Sequence, residues 1–412
     1  MVTSEQTANS AQKKIDPRQQ AKKKVAVACQ GGGMHAAFEV GVLTKILEDV
    51  AAQKFELVGL SGTSAGALCA LMVWYGLAHK DGNPGSVADA SKKLNDFWDD
   101  FVAKKGAEKV LNFFTYRTLR AEEMEIPLLG INAPLIAGSF NPYGALYQSV
   151  AAWLPHLGVR QGYFDLHDLL AEVCPALAAN PPTIDWQQLK TRVLIGASEV
   201  VNGFETVFDS DVNKDPQKTN KGMQPNHTID FWRQRLPLTL SGVAASGTLP
   251  IFREAEHIDG DGDYWDGLYS QNPPIREFFY SKAIPTDRPH ELWIIRINPQ
   301  QWPEVPKSNA DVQDRENELM GNLSLNKDLD FLMMMNRWNK KYGGQFANDH
   351  PLVTVRTIKM SKTTADSLRY SSKFDRSEAF MNQLRQEGER VARNWLNLWN
   401  LNQVPEYPAD VA

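Results

Sequence analysis

The chain has 412 residues, 42% of them hydrophobic and 23% charged, with a formal charge of −5 at pH 7. That is enough apolar material for a large core, as one α/β domain or two, and it lacks the basic excess of a nucleic-acid binder. Three cysteines (Cys29, Cys69, Cys174) sit far apart without a CxxC pair, which excludes a disulfide framework and a structural zinc site.

Residues 1–24 are polar, end in Lys22-Lys23-Lys24 and read as a disordered leader without the apolar core of a signal peptide. No run reaches the roughly 18 apolar residues of a membrane span. The expected address is cytoplasmic, with peripheral membrane contact open to a basic leader. KVAVAC (24–29) predicts a buried strand, and three glycines, Gly31–Gly33, follow it. Val40, Leu43 and Leu47 then recur at helical spacing over 36–50. FELVGL (55–60) predicts a second strand, followed by SGTSAG and an apolar helix over 67–77. Strand, glycine turn and helix, twice in succession, predict a mostly parallel sheet covered by helices.

The stretch 81–190 is irregular and aromatic, and reads as a helical, cap-like insertion. Its segment 112–136 reads either as ordinary core or as the wall of an acyl site or a lid facing a membrane. Strands return at 193–200 and 204–209, then at 292–297 and 352–358, with a polar excursion at 211–222. A helix with Leu325, Leu329 and Leu332 on one face lies between the last two strands. The final helix carries a stripe of Phe380, Leu384, Val391, Trp395 and Leu398. No repeat or boundary divides residues 25–412, so one domain is expected, with C-terminal strand and helices over 290–400.

Gly62-Thr63-Ser64-Ala65-Gly66 fits G-x-S-x-G between a strand and a helix, the setting of a nucleophile elbow. There the serine takes a strained backbone, the flanking Gly62 and Gly66 let strand and helix pass, and the helix N-terminus favours a developing oxyanion. His290 and His350 have no local context that recommends them as a base. Asp259, Asp261 and Asp263 imitate a calcium loop, but Tyr264 and Ser270 stand where glycine and glutamate are needed. A polar turn is the better reading. What remains is Asp266, at the end of the short aromatic strand YWD, followed by Gly267 and Asn272-Pro273-Pro274.

Together these pieces resemble the patatin-like phospholipases, with GGG at 31–33, GTSAG at 62–66, VAASGTLPIF at 243–252 and DGL at 266–268. The resemblance covers roughly residues 25–275, and KFDRS (373–377) resembles bacterial members less specifically. It implies a three-layer α/β/α fold and a metal-independent Ser–Asp dyad, with Ser64 as nucleophile and Asp266 as general base. It also implies an oxyanion hole from Gly31, Gly32 and Gly33. The expected partner is a lipid or another acyl ester, with no cofactor and no nucleic acid. A thioesterase or acyltransferase would use the same dyad.

Two departures stand out. His35 occupies a position where the family favours Arg or Lys, and it reads equally as a polar support for the oxyanion or as a packed histidine. Leu268 replaces a small residue after Asp266-Gly267. A dinucleotide loop is the remote alternative, since Gly31, Gly33 and Ala36 also fit G-x-G-x-x-A. It leaves GTSAG and YWDG without a role.

Overall fold

The computed structural model describes residues 22–79, 85–124, 166–223, 231–250, 254–280, 288–302 and 304–409. The segment 126–136 of the aromatic insertion lies outside them, as does most of the leader.

The chain alternates β1 (Lys24–Cys29), α1 (Ala37–Ala51), β2 (Glu56–Thr63), α2 (Ala65–Ala78), α3 (Val87–Phe101) and α4 (Gly106–Glu123). β3 (Arg192–Glu199), β4 (Glu205–Asp209) and β5 (Arg233–Pro237) follow, then α5 (Leu240–Ser246), β6 (Glu256–Ile258) and β7 (Gly262–Asp266). The chain closes with β8 (Glu291–Arg296), the long α6 (Asn309–Tyr342), β9 (Thr354–Lys359) and α7 (Glu378–Asn400). The sheet order is β5-β4-β3-β2-β1-β8-β9, with β7 added to β3 and β6 to β7. Pairing from β3 through β9 is parallel along that path, whereas β3–β4, β3–β7 and β6–β7 are antiparallel.

Strand periodicity divides the core into two. Val25, Val27 and Cys29 point to one side of β1 and join a cluster with α1, α2, α3 and α7. Ala26 and Ala28 point to the other, where they meet Leu292 and Ile294 of β8 and Leu325, Leu329 and Leu332 of α6. A mostly parallel sheet thus lies between two helical layers, and its central strands are buried on both faces. α2 is apolar on every side because it is enclosed, with Trp74 fully buried.

Three details depart from the sequence reading. β2 runs on through Ser61, Gly62 and Thr63, so the strand reaches the elbow itself. The stretch 211–222 contains the short helix Ser210–Lys214, capped by Asp209, and the turn Pro216–Lys218. On α7 the buried face is Met381, Leu384, Gly388, Ala392, Trp395 and Trp399, while Leu398 is exposed. Small residues, which carry no apolar signal, mark the contact face there.

Candidate active site

Ser64 sits between the last residue of β2 and the first of α2, at φ 56° and ψ −128°. This conformation suits glycine and costs an L-residue about 1–3 kcal/mol. Close packing enforces it. Gly62 lies face to face with Gly66, and a Cβ on Gly66 would run into the Cys29 carbonyl at the end of β1. The Ser64 amide donates to Ser246 Oγ at 3.0 Å, and that hydroxyl donates to the Gly196 carbonyl of β3 at 2.6 Å. Ser246 ends α5, so the small-residue block near 243 bolts the elbow to the neighbouring strand.

Sheet register brings Asp266 to this point. Thr63 pairs with Gly196 across β2–β3, and Ala197, one residue on, pairs with Asp266 across β3–β7. Ser64 and Asp266 therefore leave adjacent strand ends, although about 200 residues of chain separate them. Asp266 is fully buried. Its Oδ1 accepts from the Leu268 amide at 2.8 Å, and Oδ2 has no partner of good hydrogen-bond geometry. Burial raises its pKa to about 7, against smaller downward pulls from the nearby Ser64 hydroxyl and the Leu268 amide. Leu268, larger than the family's usual residue, still provides that amide; its side chain lines the cleft.

Gly31, Gly32 and Gly33 line the same cleft as Ser64 and Asp266. The Gly31 amide is engaged, donating to Asn272 Oδ1 at 2.5 Å. Asn272 Nδ2 and Asn298 Nδ2 return donors to the Gly31 carbonyl at 3.3 and 2.7 Å. Gln30 holds the strand ends from behind, its Oε1 accepting from the Ile297 and Asn298 amides at 3.1 and 3.0 Å. The loop is thus preorganised by three side-chain amides. Donors from the Gly32 and Gly33 amides make no hydrogen bond among the described residues.

His35 takes the packed alternative. It is buried, its Nε2 lies 2.7 Å from Ser372 Oγ, and its ring meets Phe380 edge-on. Burial first, and Lys373 second, hold its pKa well below the ordinary histidine value, so the ring is neutral. The cation near the loop is Lys373, in the turn Tyr370–Phe374. Gly33 has φ +60°, and a Cβ there would strike the Lys373 carbonyl. Lys373 pairs with Asp314 and lies 3.6 Å from Glu318, both on α6. Burial works against its charge, but the two carboxylates more than offset this and keep its pKa above the usual lysine value. Glu318 also accepts from Trp302 Nε1 at 2.6 Å and is itself shifted upward, first by burial. His290 and His350 do not line this cleft: one accepts from the Lys24 amide, and the other packs on Phe346.

Asn272 stood within the stretch that drew attention to Asp266, so its neighbourhood was visible in the sequence. Gln30 and Asn298 follow the ends of adjacent parallel strands, where ligands of open α/β sheets gather, and that position was the available signal. Lys373 opened the KFDRS stretch without a role attached to it, and Asp314 had no signal.

The sequence matches the family model described as patatin-like phospholipase over residues 27–279. The chain belongs to the patatin-like phospholipase family. Among solved structures, VipD from Legionella pneumophila is 12% identical with a TM-score of 0.34, over 89% of this chain and 67% of VipD. The type III effector protein ExoU is 13% identical with a TM-score of 0.28, over 91% of this chain and 54% of ExoU. No curated protein sequence matches this one. In this patatin-like chain Lys373 and Glu318 lie beyond the matched residues yet border the same cleft, and Asp314, also beyond them, pairs with Lys373. No described helix is long and apolar enough to cross a membrane.

Proposed function

We propose that the protein hydrolyses acyl esters of lipids through a Ser64–Asp266 dyad. Ser64 Oγ attacks the ester carbonyl carbon while Asp266 takes the hydroxyl proton. The carbonyl oxygen gains the negative charge, and the Gly32 and Gly33 amides bind it. Collapse breaks the bond to the leaving alcohol, which receives the proton from Asp266 and departs. Water then adds to the acyl-enzyme with Asp266 again as base, releasing the fatty acid and restoring Ser64. Gly31 serves the scheme indirectly, because its amide is spent on Asn272 and its carbonyl on Asn298.

One observation carries this reading: a serine with a strained backbone stands beside a fully buried carboxyl whose pKa is raised to about 7. A base of that pKa is half ionised near neutrality and strong enough to accept a serine proton as the C–O bond forms. Lipid as the substrate class follows from family membership. We assign residues 25–412 to one hydrolase domain, since the Tyr370–Phe374 turn supplies part of the cleft wall.

The test is turnover of a short-chain nitrophenyl ester. Ser64→Ala and Asp266→Asn are each expected to lose roughly 10⁴-fold or more in kcat, while His290→Ala and His350→Ala retain activity. An active Asp266→Asn enzyme together with an inactive histidine variant would replace the dyad with a triad.

A further inference from the structure

α4 turns its apolar side outward. Val110, Phe113 and Phe114 are 53%, 54% and 61% exposed, and at helical spacing they share one face with Lys109 and Arg117. On the opposite side two polar residues, Glu108 and Asn112, are buried. Glu108 accepts from the Lys104 and Lys105 amides at 3.0 and 3.2 Å. Asn112 donates to Asp375 at 3.0 Å and accepts from the Arg376 amide at 2.7 Å. A helix that only covered a core would show the reverse arrangement.

Cations surround the aromatic face. Lys104 is paired with Asp100 at 2.9 Å, but exposed Lys105, Lys109 and Arg117 form no ion pair among the described residues. The Arg117 guanidinium lies 5.3 Å from the Phe113 ring centre, so charge and ring belong to one patch. In a chain of formal charge −5, such a patch selects an anionic partner locally.

The face adjoins the cleft. Glu123 at the end of α4 accepts from the Ser371 amide and hydroxyl at 2.5 and 2.9 Å, fixing the helix to the turn that contributes Tyr370, Lys373 and Phe374. Exposed apolar groups continue at the cleft itself: Tyr269 lines it, and Leu323 lies two residues beyond Gly321, which packs on Asn272 and Leu268.

We propose that the outer face of α4 is an interfacial docking surface that seats the protein on an anionic lipid bilayer. Phe113, Phe114 and Val110 enter the boundary between head groups and acyl chains, and Lys105, Lys109 and Arg117 meet lipid phosphates and carboxylates. The choice of a lipid surface over an acidic protein rests on the phospholipase reading, because a lipid hydrolase must bring its cleft to its substrate.

Vesicle pelleting of the full chain tests the surface, with Ser64→Ala as background so that no lipid is consumed. Binding is expected to vesicles of phosphatidylcholine mixed with phosphatidylserine, and weaker binding to phosphatidylcholine alone. Lys105→Glu with Lys109→Glu should cut partitioning by about fivefold or more per site. Phe113→Ser with Phe114→Ser should remove it, with unchanged circular dichroism. With Ser64 kept as serine, these surface variants should hydrolyse a water-soluble nitrophenyl ester at the wild-type rate. Absence of binding to either vesicle, or equal binding by the surface variants, would overturn the proposal and leave the face to a protein partner. Loss of ester turnover by the unaltered chain would instead sink the hydrolase reading, whatever the vesicles show.

Discussion

Asp266 is held at a pKa of about 7 by its burial, and the kinetics and the stability should both carry that mark. Because the base must be ionised, kcat/KM should rise tenfold per pH unit below about 7 and level off above it. A profile that is flat from pH 5 to 8 would remove Asp266 from the role of base. The stability effect has a definite sign. The folded pKa exceeds the unfolded value of about 3.9, so the native state binds the proton more tightly and loses stability as pH rises between the two values. Asp266→Asn escapes this loss while keeping an oxygen for the Leu268 amide. Its Tm relative to wild type should therefore climb across that interval and stay constant above it; a gap independent of pH would contradict the shift. Ser64 carries a separate cost in its backbone. Ser64→Gly relieves about 1–3 kcal/mol of strain against about 0.5–1 kcal/mol of glycine entropy. In urea titrations it should be more stable than wild type, whereas Ser64→Ala should not.

At the level of elements, the Gly31–Gly33 turn is aimed by parts that lie far away in the chain. Asn272 and Asn298 clamp Gly31, the Tyr370–Phe374 turn backs Gly33, and α6 anchors that turn through Asp314 and Glu318. Gly33→Ala combines an unfavourable φ with a clash on the Lys373 carbonyl, so it should lower kcat by about 10²–10³-fold, as loss of an oxyanion donor does. Lys373→Met leaves the buried Asp314 carboxylate without its cation and Glu318 with Arg315 alone, and should destabilise the fold by about 3–5 kcal/mol. Adding Asp314→Asn and Glu318→Gln should return most of that loss, as measured by chemical denaturation. This contrast marks what the sequence made legible. β1, β2, α1 and α2 were readable because strand periodicity, glycine turns and helical spacing are local signals. The clamp was not, since the neighbourhoods of Asn272 and Lys373 were visible but their meeting with Asn298 and Asp314 around the loop appears only after distant strands align. His35 illustrates the same limit: its position left a polar support and a packed ring equally open, and burial against Ser372 and Phe380 favours the packed, neutral ring.

Across the molecule, β-sheet register does the assembling. Ser64 and the Gly31–Gly33 loop were visible because each follows its own strand within a few residues, and Asp266 because a short aromatic strand ends on it. Their convergence depends on β7 adding antiparallel to β3, which places Asp266 one register step from the partner of Thr63. β5, a polar run of Arg233, Gln234 and Arg235, gave no apolar signal, because it lies at the sheet edge and its side chains answer carboxylates and the Thr206 hydroxyl. The central claim is that this register creates a serine nucleophile activated by Asp266. The most direct measurement is reaction of the native protein with a fluorophosphonate, the adduct being located by peptide mass spectrometry. One adduct is expected, on Ser64, formed in the wild type and strongly slowed in Asp266→Asn. Labelling elsewhere, or none on folded wild-type protein, would contradict it.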